Sequence, residues 1–334
     1  MTGQPRFPRS LRCGLWLLAF LSMGALFADF LSPYSPVRQH REFPATPPTG
    51  LRAVSPTGEA MAFRFLAEGE EYRLLGLFPA RVHLFGAEEP GRIFLLGTDA
   101  LGRDLWSRLL HGARRSLSIA FVSLLVALPL ALAIGCAAGY YGGAVDFVLM
   151  RAVELLLALP ALYLIIGLRS ALPLDLEPDR VFLAMIGVIA FFGWAHLARL
   201  IRGLALSLRT REFILAATAA GAGDLRILLR HMLPHLRSFS LTQAALMTPG
   251  FLLAEITLSY LGLGVPEPLP SWGSMLAATV GLPAAHLHWW NLTPLAAIFL
   301  ASLSFQLVAD GLKAHFDLRA PAIAPPREAE RPLL

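Results

Sequence analysis

The chain has 334 residues, of which 56% are hydrophobic and only 15% charged, with a mean hydropathy of +0.60. A soluble domain carries about a quarter charged residues, so this composition argues against a soluble enzyme and for an integral membrane protein. The net charge of +5 comes almost wholly from arginines, many beside apolar runs, where anionic lipid headgroups account for them better than nucleic acid does.

A bilayer core of about 30 Å needs about 20 apolar residues of helix. The first such stretch is 11–31, with only Arg12 and Asp29 near its ends. Arg6, Arg9 and Arg12 give it the look of a signal peptide. No clear small-residue cleavage site follows, and a retained anchor is expected. Residues 32–97 form an extracytoplasmic insert. It opens on a proline-rich linker, FPATPPTG, and continues as MAFRFLAEGEEYRLLGLFPARVHLFG, which predicts short β-strands around turns, with a break at EGEE. About 60 residues make a marginal domain, which is expected to lean on the membrane part or on a partner.

Residues 98–116, within GTDALGRDLWSRLLHGARRSL, read as a loop and an amphipathic helix at the outer interface. Leu105, Trp106, Leu109 and Leu110 would form its apolar side, with Arg103, Arg108, Arg114 and Arg115 toward headgroups. A core over 117–312 supplies five more spans. Stretch 117–140 carries no charge, and 144–168 has Asp146, Arg151 and Glu154 toward its start. Stretch 181–200 ends on Arg199, 239–263 contains Glu255, and 289–312 contains Asp310. Pro129, Pro160, Pro249 and Pro294 fall within these spans, which membrane helices tolerate where neighbours satisfy the freed carbonyls. The expected fold is an all-α polytopic membrane protein with six transmembrane helices and a small, partly β insert after the first.

The tails at 1–10 and 313–334 and the region around Glu212 are rich in Arg and Lys. The short loops 169–180 and 264–288 hold only Arg169 and Arg180. Positive-inside therefore places both termini in the cytoplasm. Trp289 and Trp290, with His288, suit an outer interfacial belt.

Motifs for chemistry are sparse. GTDALGRD lacks the GK[ST] ending of a phosphate-binding loop, and reads as a structural turn. His231 and His235 have the i, i+4 spacing of a zinc pair, but Pro234 lies between them and no HExxH is present. The two cysteines, Cys13 and Cys136, are far apart and suggest neither a disulfide framework nor a metal site. Glu255 lies inside an apolar span, where an acid is a functional candidate by default: it either lines a pathway or bonds across helices. Glu154 has Arg151 at i−3 and Asp310 has Lys313 at i+3. Nothing assembles an enzyme active site.

One stretch resists the membrane reading. EFILAATAAGAGDLRILLRHMLPH, from Glu212 to His235, is charged yet lies between two apolar spans. Ala216, Ala217, Ala219 and Ala220 allow close approach, and Gly221 and Gly223 permit a sharp bend. Asp224 is placed to cap a second helix, and Pro234 to stop it. Phe213, Ile214, Leu225, Ile227, Leu228 and Leu229 call for a partner.

These residues resemble the EAA loop of permease subunits of bacterial ABC importers: Ala216-Ala217, Gly221 and Leu233-Pro234 fit its pattern. LGTDALGRDLWSRLLHGARRSL, AGYYGGAVDFVLMRAVELLLALP, HMLPH, LSYLGLGVPEPLPSWGSML and DGLKAHFDLR further resemble the C-type subunit of the dipeptide/oligopeptide/nickel branch, in order over about residues 95–319. Two departures stand out. Leu215 occupies the position of the acid that names the motif, with Glu212 one helical turn earlier, and the outer insert is longer than that branch leads one to expect.

The resemblance implies the MetI-like permease fold of type I importers, in the bacterial inner membrane. It implies a coupling loop over 203–235 that docks into a cytoplasmic ATPase subunit through Glu212, Leu215, Ala216, Ala217, Gly221, Asp224, Arg226, His231 and Pro234. Implied partners are a homologous permease subunit, two ATPase subunits that carry the ATP and magnesium, and an extracytoplasmic substrate-binding protein. No cofactor is implied on this chain. Peptides are the leading cargo, with nickel or another small solute open. The alternatives are a secondary transporter, which would favour mid-depth acids and a detectable repeat, and a polytopic membrane enzyme, which would need a polar constellation that the sequence lacks.

Overall fold

The computed structural model describes residues 8–171, 173, 177–280 and 288–317. Helix α1 (Arg9–Leu26) is followed by a short α2 (Ala28–Leu31). The insert carries β1 (Ala53–Val54), β2 (Ala60–Met61), β3 (Phe63–Leu74) and β4 (Phe78–Ala87). Helices α3 (Leu105–Tyr141), α4 (Gly143–Ala158), α5 (Ala161–Ser170) and α6 (Pro178–Arg209) come next. After them come α7 (Glu212–Ala219), α8 (Asp224–Arg226), a π-helical turn over Ile227–Met232 and α9 (Leu233–Tyr260). The chain continues through α10 (Trp272–Val280), a 3-10 turn (Trp289–Leu292) and α11 (Thr293–Asp317).

Among the described residues, four helical runs are long and apolar enough to cross a membrane: Leu105–Tyr141, Pro178–Arg209, Asp224–Tyr260 and Trp289–Phe316. The other two expected stretches differ for local reasons. Helix α1 is 18 residues long and includes Arg9 and Arg12. The stretch expected as one helix over 144–168 is two, because Pro160 has no N–H and disfavours helical backbone in the residue before it. Leu159 is accordingly extended, at φ −85° and ψ 137°.

The helices pack through small residues. Ala127, Ala131 and Ala138 of α3 and Ala195, Ala198 and Ala205 of α6 are buried. A Cβ added at Gly139 would lie 2.5 Å from the Ala205 Cβ, and one at Gly135 would lie 2.6 Å from the Ala198 carbonyl oxygen. Only glycine lets these two backbones approach so closely, as is usual where apolar helices associate without water to drive them together.

Two expectations for residues 32–116 are corrected. The insert has one long antiparallel hairpin, β3 paired with β4, beside the two-residue β1–β2 ladder. The EGEE run is a register irregularity between Glu68 and Tyr72, not the turn. Cross-strand pairing resumes at Tyr72 with Ala80 and continues to Leu74 with Phe78, so both strands stay extended past it. Nor is 98–116 a separate interfacial helix. Nothing between Leu105 and Leu117 breaks the helical register, so α3 runs through from Leu105 for 37 residues. The insert does lean on the helices: Phe85, Ala53 and Ile93 form a core with Trp106, whose indole donates to the Leu31 carbonyl at 3.0 Å.

Candidate functional site

Helix α7 ends in a Schellman arrangement. The Ala222 N–H donates to the Ala217 carbonyl at 3.1 Å, and that of Gly221 to Thr218 at 2.9 Å. Gly221 takes φ +79°, the left-handed backbone this ending demands, while Gly223 is ordinary at φ −67°. A Cβ at Gly221 would meet nothing within 4 Å, so the need for glycine is conformational and not steric.

The chain then re-enters a helix at Asp224, but the expected cap is absent. The Asp224 side chain makes no capping bond and instead accepts from the Tyr140 hydroxyl at 2.9 Å, tying the loop to the end of α3. Pro234 does not stop the helix as expected. It stands in the first turn of α9, and the widened π turn ahead of it carries the chain into that helix. A proline ring clashes with the carbonyl four residues back in regular α-helix, and a wider turn removes that conflict. His231 and His235 do not converge on a metal: His235 Nδ1 faces the His231 carbonyl oxygen at 2.7 Å, and the His235 ring stacks on Phe213 at 4.5 Å.

The loop has two faces. Ile214, Ile227 and Met232 are buried against the helices. Leu215, Leu225 and Leu229 are exposed, together with Glu212, Ala216, Arg226, Arg230 and Pro234. Ala217 and His231 are half-buried between them. The expected site residues thus form one continuous segment with an apolar outer surface and polar groups around it. Nearby, Arg202 of α6 makes a two-pronged ion pair with Asp146 in the first turn of α4, its Nε at 2.9 Å from Oδ1. A planar guanidinium matches a carboxylate in this way, and the pair joins the ends of α4 and α6.

Glu255 is 0% exposed. Its carboxylate sits among Ser116 of α3, Ser259 of α9 and Ser271, with the Ser259 hydroxyl donating at 2.7 Å. Ser116 in turn accepts the backbone N–H of Trp272 at 3.1 Å. Ser259 lies on the same helix as Glu255, Oε2 is buried without a hydrogen bond, and the side chain reaches no surface of the chain.

At the other end of α3 the correction is larger. Arg103 and Arg108 do not point to headgroups. Arg108 is 1% exposed and Arg103 is also buried. Glu267 accepts from Arg103 at 2.6 Å and from Arg108 at 2.9 Å, and Asp99 accepts from Arg103 Nε at 2.6 Å. The Pro36 and Pro268 carbonyls complete the shell of Arg108, at 3.2 and 3.4 Å. GTDALGRD is a turn, as expected. Asp104 caps α3, its Oδ2 accepting from the Ser107 N–H at 2.9 Å. Burial pushes the Asp104 carboxyl up to about 6, against the opposing pull of the Ser107 hydrogen bonds.

Sequence reasoning missed Tyr140, the Asp146–Arg202 pair and the Glu267 cluster, each of which joins residues dozens of positions apart. The only local sign was a pair of arginines just before an uncharged span. His288, read with Trp289 and Trp290 as part of an interfacial belt, stacks on Trp290 at 4.3 Å. Among the described residues, no group of three or more His, Cys, Asp or Glu is placed to hold a metal ion.

Residues 131–320 match the family model described as "Binding-protein-dependent transport system inner membrane component". The chain is 36% identical over 237 residues to the oligopeptide transport system permease protein OppC of Bacillus subtilis (strain 168), covering 70% of this chain and 75% of that protein. It is 32% identical over 305 residues to the di/tripeptide transport system permease protein DppC of Pseudomonas aeruginosa (strain UCBPP-PA14), covering 91% and 86%. To the dipeptide transport system permease protein DppC of Bacillus subtilis (strain 168) it is 33% identical over 306 residues, covering 91% and 80%. The chain therefore belongs to the family of inner-membrane components of binding-protein-dependent transport systems, and is a multi-pass permease subunit and not itself an enzyme.

Proposed function

We propose that this chain forms half of the translocation pathway of an ATP-driven importer of di- or oligopeptides, the cargo named in its relatives. The other half is a homologous permease subunit. A substrate-binding protein delivers peptide at the outer face, and two cytoplasmic ATPase subunits bind ATP and magnesium. The chain itself binds no cofactor. It crosses the inner membrane six times, through α1, α3, the α4–α5 pair, α6, α9 and α11, with both termini in the cytoplasm.

The observation that carries this reading is the loop from α7 to the π turn: pre-bent, anchored on one face and apolar on the other. Glu212, Leu215, Ala216, Ala217, Gly221, Asp224, Arg226, His231 and Pro234 belong to the segment that meets the ATPase. Leu215, Leu225 and Leu229 supply the apolar contact, which explains how a leucine serves where the family's motif has an acid. Movement of the ATPase passes through buried Ile214, Ile227 and Met232, and through Tyr140–Asp224, into α3 and α9.

ATPase activity of the reconstituted complex, with and without peptide-loaded binding protein, tests the assignment. Gly221→Trp is expected to leave membrane insertion intact and to abolish cargo-stimulated hydrolysis; full stimulated hydrolysis in that variant would remove the loop as coupling element. Sidedness is tested with single cysteines at Gly69 and Gly223 in a chain lacking Cys13 and Cys136. In intact spheroplasts only position 69 should react with an impermeant reagent, and labelling at 223 would overturn the topology.

A further inference from the structure

The turn of the β3–β4 hairpin has an unusual composition. Its central residues, Leu75 and Gly76, both have positive φ, at 56° and 74°, and the Leu77 N–H closes the turn on the Leu74 carbonyl at 3.1 Å. Such tight hairpin turns favour Asn-Gly or Asp-Gly, because a leucine in left-handed backbone is strained by its Cβ. Here the strained position carries an exposed leucine, followed by Leu77, 74% exposed, and Phe78. An aqueous turn would gain from asparagine at position 75, so the apolar run answers to something other than turn formation.

The hairpin's course says what surrounds the tip. Its base packs on Ile93 and on Trp106 of the first turn of α3. Midway, His83 sits on the Ser32 and Asp29 carbonyls at the end of α2. At the far end, Arg73 and Gly76 share a cleft with Asp29, His111 and Arg114, and Arg114 bonds the Ala25 and Leu26 carbonyls of α1. The strands therefore run from the start of α3 toward the body of α1. Leu74 lines an apolar groove of about 850 Å³ together with Phe20, Leu110 and Leu300 of α1, α3 and α11, and Phe27 just after α1. Phe20 is itself highly exposed on α1. The tip is thus continuous with the apolar outer surface of the helices. Exposed Arg73 stands just behind it, where a cation meets anionic headgroups, and next to it Arg81 pairs with Glu71.

We propose that the Leu75–Phe78 tip inserts into the outer leaflet of the bilayer beside α1 and anchors the insert to the membrane. This rests on α1 being a spanning helix, as put forward above, and the test separates the two. The full chain, with Cys13 and Cys136 replaced by alanine, carries one cysteine at Leu77, Trp16 or Thr57. It is labelled with an environment-sensitive fluorophore and reconstituted, with its co-purifying subunits, in nanodiscs of phosphatidylethanolamine and phosphatidylglycerol.

The probe at 77 is expected to be quenched by nitroxide-labelled lipid much as the probe at 16 is. Its quenching by iodide should be several-fold weaker than at 57. Adding Leu75→Asn and Phe78→Ser should lower lipid quenching at 77 several-fold without lowering thermal stability, since asparagine suits the turn better. If position 16 is quenched by lipid and 77 behaves like 57, the tip lies in water and the proposal falls. A probe at 77 shielded from both quenchers means that another protein covers the tip, which also overturns it. If position 16 escapes lipid quenching, α1 does not span and the basis of the proposal is gone.

Discussion

The two ends of α3 are built on opposite terms. At its N-terminal end two arginines are turned inward: Arg103 and Arg108 are buried, satisfied by Asp99, Glu267 and backbone carbonyls, and Asp104 caps the helix. At its C-terminal end an exposed hydrogen bond, Tyr140 to Asp224, joins buried Ile214, Ile227 and Met232 in holding a loop whose leucines face outward. Buried charges demand partners in fixed positions, because an unmatched one costs several kcal/mol. The loop at the other end instead turns Leu215, Leu225 and Leu229 outward. The first end is a rigid frame, and the second is the docking surface proposed above.

The largest expected effect breaks the frame. Glu267→Ala removes the carboxylate shared by two buried guanidinium groups, and should destabilise the chain by about 3 kcal/mol. Arg108→Met should cost less, because the Glu267 side chain is 45% exposed and can rehydrate. Thermal unfolding in detergent compares the two. Equal losses would mean that packing, and not charge, stiffens this end.

The second prediction uses pH. The Asp104 carboxyl is raised from 3.8 to about 6, so the folded chain binds its proton more tightly than the unfolded chain does. The contribution of this group to stability is therefore greatest below pH 3.8, falls as pH rises to about 6, and is level beyond that. Asp104→Asn should remove this part of the pH dependence. An unchanged profile would assign it to another group.

Gly221→Ala tests the loop end. With open space around the position, its cost is the left-handed backbone alone, about 1 kcal/mol. Global unfolding should hardly register it, whereas hydrogen exchange in α7 should accelerate. The smallest effect is expected from Tyr140→Phe, which removes an exposed hydrogen bond of about 0.5 kcal/mol or less. It too should appear as faster exchange in α7 and α8 with an unchanged melting temperature. A fall in melting temperature comparable to that of Glu267→Ala would erase the contrast between the two ends.

The apolar stretches were legible in the sequence because helix length in a bilayer follows from hydrophobic length, which is a local property. So was the bend at Gly221, since left-handed backbone selects glycine wherever it occurs. The order of motifs pointed to the permease family, and the family match bears that out. Tertiary structure alone decided which way the charges face. Arg103 and Arg108 looked like headgroup ligands until Glu267, some 160 positions away, was found beside them. Asp224 looked like a cap until Tyr140 proved to be its partner. The same holds for the Glu255 hydroxyl cluster and for the hairpin tip beside α1. A polar side chain takes the partner that desolvation leaves within reach, and that choice rests on long-range packing, which no short window of sequence contains.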